Sequence, residues 1–306
     1  MSNPITSSQF IRLLDSRLRK VAEDQYKELP SMIDSLYTKL PSDSAWEEFF
    51  SVGSLPDIPA FNGKISYLNV SPGYHIKIEP KEFAAGVLFE RKLLDDKKYA
   101  VMDKRAQMLS TSAQRTQEKY AAETFAYAFS SAFEFQTNEE GVSWCSDSHS
   151  TKSGVSTSSG FDNAGTSALD KTSVEATRIL MKKFKGDIGQ RIVVEPDTLI
   201  VPLALEQKAR EIVGTEKGLD SGEGNINTQY KKWKVIVYDR LDDYDTNNWF
   251  MADSRMLKES LYWIDRIPFE TNNTVDFDTF QIKHSCYFRI GCGWTDWRGI
   301  FGHAVS

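Results

Sequence analysis

The feature that most restricts the fold of this chain is an uninterrupted stretch without proline or glycine, residues 91–140. Within it, side chains at alternating spacings of three and four follow one face of an α-helix. This stripe comprises Tyr99, Met102, Ala106, Leu109, Ala113, Thr116 and Tyr120, and then Phe125, Phe129 and Phe133 at spacings of four. The pattern predicts one long amphipathic helix over about residues 95–135. Asp95 and Asp96 suit its start, where the helix dipole favours anions.

The length of the predicted helix constrains the shape of the molecule. About 40 residues at 1.5 Å each span roughly 60 Å. A compact globule of 306 residues has a radius of gyration near ~19 Å, so the helix would be longer than such a globule is wide. We therefore expect a flat or elongated molecule built on a helical spine. That shape suits a tile better than an enzyme.

The last stretch of the chain, residues 278–303, predicts a long strand that is buried on one face. Its alternate positions form an apolar set: Phe280, Ile282, Cys286, Phe288 and Ile290. Polar residues occupy most of the positions between them, which gives the period of two that is typical of a half-buried strand. A glycine pair and a Trp-Thr-Asp-Trp-Arg-Gly turn at 294–299 follow. We interpret this stretch as the element that closes a sheet at the end of the chain.

Two other regions have a recognisable pattern. Residues 6–40 predict a polar helix, either an ordinary surface helix or an arm that lies on a neighbouring molecule. Residues 191–264 combine strand and helix signals and predict an α/β unit. Within that unit, the nearly continuous apolar run at 233–238 indicates a strand that is buried on both faces.

The region between these parts, residues 46–90, is rich in turn signals. Short strand-like runs occur at 64–70, 74–78 and 83–89, and a Ser-Pro-Gly turn separates the first two. Few of these residues could form a compact core alone. We therefore expect an extended hairpin that projects from the body, and an ordinary β-meander packed on the body is the alternative.

Composition excludes several classes of protein. The formal net charge of −6 and a pI of about 5.4 argue against a protein that coats nucleic acid, which needs an excess of lysine and arginine. The cysteines, Cys145, Cys286 and Cys292, are odd in number and widely spaced, so we expect no disulfide framework and a reducing compartment. No secretion signal or apolar run of ~18 residues is present, which predicts a soluble protein made inside the cell.

A metal site is the first chemistry to test. His284, Cys286 and Cys292 are close in sequence, and the first two share a face of the predicted closing strand. That face is the apolar one, and no fourth ligand has the spacing of a zinc site. We therefore expect buried structural residues and predict no metal-binding residue and no cofactor.

A hydrolase site is the second kind of chemistry to test. Ser146, Asp147, Ser148 and His149 lie together in a Ser-, Thr- and Gly-rich stretch and include the residue types of a catalytic triad. They lack the Gly-x-Ser-x-Gly elbow that exposes a nucleophilic serine. We predict no catalytic residue and no enzyme activity. A hydrolase that uses the Ser146–His149 loop remains an alternative, although much the weaker one.

Several stretches, taken in order, resemble one family. They are residues 46–63, 83–96, 143–149, 196–213, 233–241, 249–253 and 277–302. They are similar to the major capsid proteins of tailed bacteriophages that share the HK97-like fold, particularly the branch that includes the Mu-type major head subunit. No single motif decides this resemblance, because none is catalytic. It depends on the order and spacing of the stretches over ~250 residues.

The resemblance implies an α+β chain divided as that family is. The divisions are an N-terminal arm (1–45), an extended loop (46–92), a peripheral domain with the spine helix (93–184), an axial domain (185–267), and a return to the peripheral domain with the long C-terminal strand (268–306). In that family the extended loop and the arm reach across neighbouring subunits. The parts that the residues themselves predict have the same order.

The implied function is that of a major head subunit. Such subunits form pentamers and hexamers of an icosahedral shell around double-stranded DNA, without sequence-specific binding and without a membrane. About 45 residues precede the extended loop, so we expect a separate scaffolding protein, together with a portal and in some cases decoration proteins. Assembly in the bacterial cytoplasm and a final location in the virion follow. A nanocompartment shell protein of the encapsulin type shares this fold and is the alternative.

Overall fold

The structure is a computed structural model that describes residues 7–65, 67–68, 70, 72–133, 135–214, 227–276 and 278–305. The side chains of 7–15 and of Val52 lie outside this description. Its α-helices are α1 (Ser7–Glu28), α2 (Ile33–Leu36), α3 (Arg91–Asp95), α4 (Tyr99–Ala126), α5 (Lys171–Met181), α6 (Glu206–Gly214) and α7 (Ser254–Ser260). Short 3-10 helices cover Leu203–Leu205 and Asp239–Asp243.

The strands of the described residues form three sheets. They are β1 (Thr38–Pro41), β2 (Glu47–Val52), β3 (Pro72–Ile78), β4 (Lys81–Phe89), β5 (Gln136–Asn138), β6 (Ala164–Gly165), β7 (Thr198–Val201), β8 (Lys234–Val237), β9 (Trp249–Ala252), β10 (Leu261–Val275), β11 (Ile282–Trp294) and β12 (Ile300–His303). The four-stranded sheet has the order β1-β10-β11-β4, and the five-stranded sheet has the order β6-β12-β9-β7-β8. The third sheet is β2-β3-β5. Helix α4 packs on β11 and β4 of the four-stranded sheet.

Helix α4 is the predicted spine, but it is shorter than the sequence indicated. It has 28 residues rather than about 40, and spans about 42 Å. At its start, Lys97 adopts φ 53°, in the left-handed region, and this separates α3 from α4. At its end, the carbonyl of Ala128 accepts a hydrogen bond from the Cys145 amide at 2.7 Å rather than continuing the helical ladder. Asp95 therefore lies in α3 and does not begin the spine.

Beyond Ala126, the residues of the apolar stripe pack against the core from irregular chain and not from a helix. The Phe129 ring stacks on Phe250 of β9, with centroids 5.8 Å apart. The Phe133 ring lies against Trp294 of β11, at 5.6 Å. Both rings therefore join the core from irregular chain, where a helix would carry them past the sheets. The helical spacing correctly identified side chains that pack against the core, here half-buried, and predicted their backbone wrongly.

One aromatic centre joins the four-stranded and five-stranded sheets. Phe125, fully buried near the end of α4, makes edge-to-face contacts with Tyr37, Trp144, Tyr238 and Phe250 at centroid distances of 5.3–6.4 Å. Such pairs add to the free energy gained from burying apolar area. The end of the spine is thereby fixed between the two sheets.

The closing strand forms as β11, and its apolar face is the predicted one. Ile282, Cys286, Phe288 and Ile290 are all buried, and β11 pairs with β10 and β4 on its two sides. Phe280 is the exception: it precedes the strand with φ 55° and is 56% exposed. The alternation therefore extended one step beyond the strand, because the tight turn from β10 into β11 uses Phe280 for its reversal.

The chain changes sheets after β11. The turn at 294–299 leads into β12, which pairs with β9 and β6 in the five-stranded sheet. The segment 268–306, expected to return to one domain, therefore contributes to two sheets. Strand β10 likewise runs across the expected boundary at residue 267 as a strand of the four-stranded sheet, although its register with β11 shifts on both sides of Ile267.

Two predicted strands differ from those observed. The run at 64–70 is not a strand in its described residues, and the partner of β3 is β2. Strand β8 was expected to be buried on both faces, but it lies at the edge of the five-stranded sheet, pairs with β7 and is only half-buried. An apolar run alone does not distinguish a central strand from an edge strand.

Helix α5 begins with a capping box that gives a first prediction. The Asp170 carboxylate accepts a hydrogen bond from the Ser173 amide at 2.6 Å, and the Ser173 hydroxyl accepts one from the Asp170 amide at 2.9 Å. We expect Asp170→Ala to lower the free energy of unfolding by about 1 kcal/mol, measured by urea denaturation. Asp170→Asn retains an acceptor oxygen and should cost much less, so equal losses would contradict the capping role.

Candidate assembly surfaces

The segment between β2 and β3 exposes an unusual number of large apolar side chains. Ile58 is 89% exposed, Phe61 79%, Ile65 75% and Tyr67 91%. Leu55 and Phe50 are also mostly exposed. We call the described residues of this stretch, 53–65, 67–68 and 70, the projecting segment. Large apolar side chains that a folded chain leaves exposed together mark a site of interaction with another protein or a membrane.

The base of the projecting segment is held firmly to the body. The Phe49 ring of β2 stacks on Tyr262 of β10, with centroids 5.0 Å apart. Ile76 and Ile78 of β3 are buried in a small cluster with Ile264. These contacts anchor β2 and β3, the strands on either side of the projecting segment.

The N-terminal helical region lies on the spine of its own chain. Arg17 of α1 donates two hydrogen bonds to the Asp103 carboxylate of α4, at 2.6 and 3.1 Å. Further along, the Gln114 side chain donates to the Pro30 carbonyl at 2.7 Å. In the single chain, this region therefore packs along its own spine helix.

The junction after α1 depends on a buried carboxylate, Glu118 of α4. Its side chain accepts hydrogen bonds from the Ser31 hydroxyl at 2.6 Å and from the Met32 amide at 3.2 Å. Burial raises the pKa of the Glu118 carboxyl, and these two hydrogen bonds oppose that shift only in part. The sequence offered no signal for this role, because the contact joins residues that are 87 positions apart.

The raised pKa of Glu118 predicts a pH-dependent effect of Glu118→Gln. A carboxyl whose pKa is higher in the folded state contributes most to stability below the unfolded value, and this contribution is lost as pH rises through the folded pKa. The amide cannot ionise. We therefore expect the stability of the variant, relative to the unsubstituted protein, to be higher at neutral pH than below pH 4.5, the ordinary carboxyl pKa. Urea denaturation at both pH values measures this, and a pH-independent difference would contradict it.

The Ser146–His149 loop is brought together, but in an arrangement unlike a triad. The Ser146 hydroxyl pairs with the Ser148 hydroxyl at 2.9 Å. The His149 ring places Nδ1 3.2 Å from the Glu140 carboxylate and Nε2 3.1 Å from Oδ1 of Asn163. Both ring nitrogens of His149 therefore have partners other than a serine. A nucleophilic serine needs a hydrogen bond to its base, and the hydrogen bonds of this histidine do not provide it.

The surroundings of His149 fit a structural role. The ring stacks on Trp297 with centroids 4.4 Å apart and an interplanar angle of 7°. The Asn163 side-chain nitrogen donates to the carbonyls of Trp144, Trp297 and Ile300, which fixes its oxygen toward His149. The cluster thus connects the Ser-rich loop to the turn before β12.

The cysteines and His284 are all buried. Cys286 and His284 lie on the buried face of β11, where His284 Nδ1 is 2.6 Å from Oδ1 of Asn273. The Cys292 sulfur contacts the Thr124 hydroxyl at 3.6 Å, and burial raises its pKa to about 12. Within the described ranges, no three His, Cys, Asp or Glu side chains are grouped so that they could hold a metal ion.

Solved phage capsids have the same architecture. The JBD30 bacteriophage procapsid protein is 15% identical, with a TM-score of 0.53, over 99% of this chain and 77% of that one. The PhiM1 bacteriophage mature capsid protein is 11% identical, with a TM-score of 0.55, over 91% of this chain and 88% of that one. The capsid protein of the native GTA particle is 12% identical, with a TM-score of 0.52, over 91% of both chains. These similarities define the class of protein by its fold, the HK97-like fold of capsid shells.

The family follows from the sequence itself. The family model described as phage capsid protein matches residues 75–302, more than half of the chain. The chain therefore belongs to the phage capsid protein family, and its function is structural. No curated protein matches its sequence. None of the helices in the part of the chain that the structure describes is long and apolar enough to cross a membrane.

Proposed function

We propose that this chain is the repeating subunit of an icosahedral phage head, in which it forms pentamers and hexamers around double-stranded DNA. The observation that carries the proposal is the projecting segment, with Ile58, Phe61, Ile65 and Tyr67 almost fully exposed on a subunit with a shell fold. In a shell, a neighbouring copy would cover these side chains. Burial of each would contribute on the order of 1.5–3 kcal/mol.

The edges of the sheets support the same proposal. Strands β4 and β1 lie at the two edges of the four-stranded sheet, and β8 and β6 at those of the five-stranded sheet. Unpaired strand edges promote association in solution. A shell would cover such edges with neighbouring copies, some by strand addition. The projecting segment and the arm are the parts that we propose to reach across neighbours, with domain divisions as in the family that the sequence resembles.

The proposal also names partner proteins and assigns no catalytic or ligand-binding site to the chain. A separate scaffolding protein, a portal protein and in some heads decoration proteins would complete the particle, which assembles in the bacterial cytoplasm. We propose no catalytic, cofactor-binding or metal-binding residue. The hydrogen bonds of His149 to Glu140 and Asn163 support its structural role. Ser148→Ala should accordingly leave assembly intact.

The test is size-exclusion chromatography with light scattering on the purified protein, followed by electron microscopy of the largest species. Rings of five or six subunits, or closed shells, are the expected result. A monomer at every concentration, with or without a scaffolding protein, would overturn the proposal. DNA inside closed shells would support a phage head, whereas an encapsulated enzyme would indicate a nanocompartment.

A further inference from the structure

The solvent face of α4 carries a row of cations. Lys104, Arg105, Arg115 and Lys119 are all exposed, and at 100° per residue they fall within about one third of the helix circumference. This arc lies opposite the buried residues Met102, Ala106 and Ala113, which face the sheet. The row extends about 22 Å along the helix. We call these four residues the basic face.

The acidic residues of α4 are elsewhere. Asp103 pairs with Arg17 of α1, and Glu118 is buried against Ser31 and Met32. Glu123, at the end of the basic face, is largely buried and accepts a hydrogen bond from the Tyr244 hydroxyl at 2.9 Å. The carboxylates of this helix therefore do not neutralise the middle of the basic face.

The cations of the basic face are also available to a ligand. Among the described residues, no carboxylate lies within 4 Å of the charged groups of Lys104, Arg105 or Arg115. Arg105 donates one hydrogen bond to the Leu88 carbonyl at 3.2 Å, which leaves its charge uncompensated. Lys119 has only a long ion pair, 3.8 Å from Glu123. On a chain with a net charge of −6, such a face is a local reversal of sign.

We propose that the basic face contacts the phosphate backbone of double-stranded DNA packaged in the shell. This inference rests on the proposed function, because it assumes that α4 faces the lumen. A straight row of cations suits a linear polyanion, and duplex DNA carries one negative charge per ≈1.7 Å of its axis. The contact needs no base-edge readout and is therefore independent of sequence.

An acidic amphipathic peptide fits this surface less well. Such a peptide binds through a continuous apolar strip in addition to its charges. The exposed apolar residues beside the cations are Val101, which precedes them, and Met108, which lies between Arg105 and Arg115; the two are about 10 Å apart along the helix. Lys104 and Arg105 separate them. The charge on this face therefore lies in two pairs of cations, Lys104 with Arg105 and Arg115 with Lys119, and its exposed apolar area is confined to two isolated side chains.

The expected contact is weak, which suits a wall that must not hold the genome in place. Four phosphate contacts give a slope of log K against log salt of about −3.6, so affinity falls steeply as salt rises. The net negative charge of the whole chain opposes the contact further. This agrees with the composition, which excludes a protein that coats nucleic acid, and restricts binding to one face of one helix.

The experiment compares two double variants with the same change of charge. Lys104→Glu with Arg115→Glu replaces one cation of each pair in the basic face, and Lys183→Glu with Lys208→Glu alters exposed lysines outside it. Each pair changes the net charge from −6 to −10, because every replacement removes one positive charge and adds one negative charge. The probe is a fluorescent duplex of about 25 base pairs, followed by anisotropy between about 25 and 200 mM NaCl.

We expect the variant in the basic face to lose at least tenfold in affinity at low salt and to have a shallower salt slope. The control variant should stay within about threefold of the unsubstituted protein. Equal losses in both variants would show that only total charge matters and would overturn the inference. Absence of duplex binding by the unsubstituted protein would overturn it as well. Binding of poly-glutamate, but not of the duplex, through the same face would assign it to an acidic protein instead.

Electron microscopy of the same preparations separates this inference from the proposed function. If the basic-face variant forms shells or rings and binds the duplex as tightly as the unsubstituted protein, the inferred DNA contact is wrong and the capsid role stands. Absence of any assembly by the unsubstituted protein would remove the capsid role, whatever the anisotropy shows. Thermal melts followed by circular dichroism confirm that both variants fold, and Glu suits an exposed helical position as well as Lys or Arg does.

Discussion

Arg298→Met is expected to lower the free energy of unfolding by about 3 kcal/mol, the largest loss that we predict for a single replacement. The buried guanidinium donates to Asp187 at 2.7 Å, to Asp296 at 3.1 Å and to the Lys185 carbonyl at 2.9 Å. It also lies 4.7 Å from the centre of the Trp297 ring. Methionine fills much of the volume but leaves the mostly buried Asp187 carboxylate without its partner. An uncompensated buried charge is the main cause of the lost stability when a buried ion pair is broken.

Urea denaturation of unassembled protein measures this loss. The matched control is Arg210→Met, which removes an exposed arginine from an ion pair with Glu206 at 2.6 Å. Exposed pairs of this kind contribute about 0–1 kcal/mol, so the control should unfold almost as the unsubstituted protein does. Arg298→Lys should fall between the two, because lysine keeps the charge and loses the planar fork of donors. Similar losses for Arg298→Met and Arg210→Met would contradict the structural role of this network.

The sequence predicted best where local period and burial coincide. Ile282, Cys286, Phe288 and Ile290 alternate strictly, and all four are buried on one face of β11. The spine was predicted for the same reason, since the helical stripe through Met102, Ala106 and Ala113 has the period of an α-helix throughout α4. The period of apolar residues within a single helix or strand can be identified from the sequence without knowing what that element packs against.

The same reasoning failed where tertiary contacts decide the backbone. Phe129 and Phe133 continue the helical spacing, yet contacts with Phe250 and Trp294 place them in irregular chain. Their spacing reports burial and not backbone conformation. Phe280 shows the opposite error at the other end of the molecule, where a strand pattern extends into a turn. Boundaries are therefore the least predictable part of either element.

Contacts between distant segments could not be predicted at all. Arg298 and Asp187 are 111 positions apart, and Glu118 meets Ser31 across 87. Strand β12 pairs with β9 rather than extending the sheet of β11, a choice that depends on the global topology. For the candidate surfaces, the turn-rich composition of residues 46–90 predicted a projection, but only the fold shows which of its apolar side chains remain uncovered.

The projecting segment gives the prediction with the largest functional effect. We expect Ile58→Asp combined with Phe61→Asp to abolish assembly while leaving the fold of the subunit unchanged. Both side chains are mostly exposed in the single chain, 89% and 79%, so their replacement removes little internal contact. In an assembled shell, the variant would lose two apolar contacts and bury two carboxylates, an effect of at least about 3–6 kcal/mol per subunit.

That free energy should raise the protein concentration needed for assembly by roughly a hundredfold or more, since assembly depends on mass action. Light scattering across a concentration series and electron microscopy measure it, while thermal melting of the unassembled subunit checks the fold. The control is Ile58→Val with Phe61→Leu, which keeps both positions apolar and should assemble at nearly the normal concentration. Shells formed by the aspartate variant at the normal concentration would show that these side chains stay in solvent. The apolar surface of the projecting segment would then need a different explanation, because the described residues of its own chain leave most of the Ile58 and Phe61 side chains uncovered.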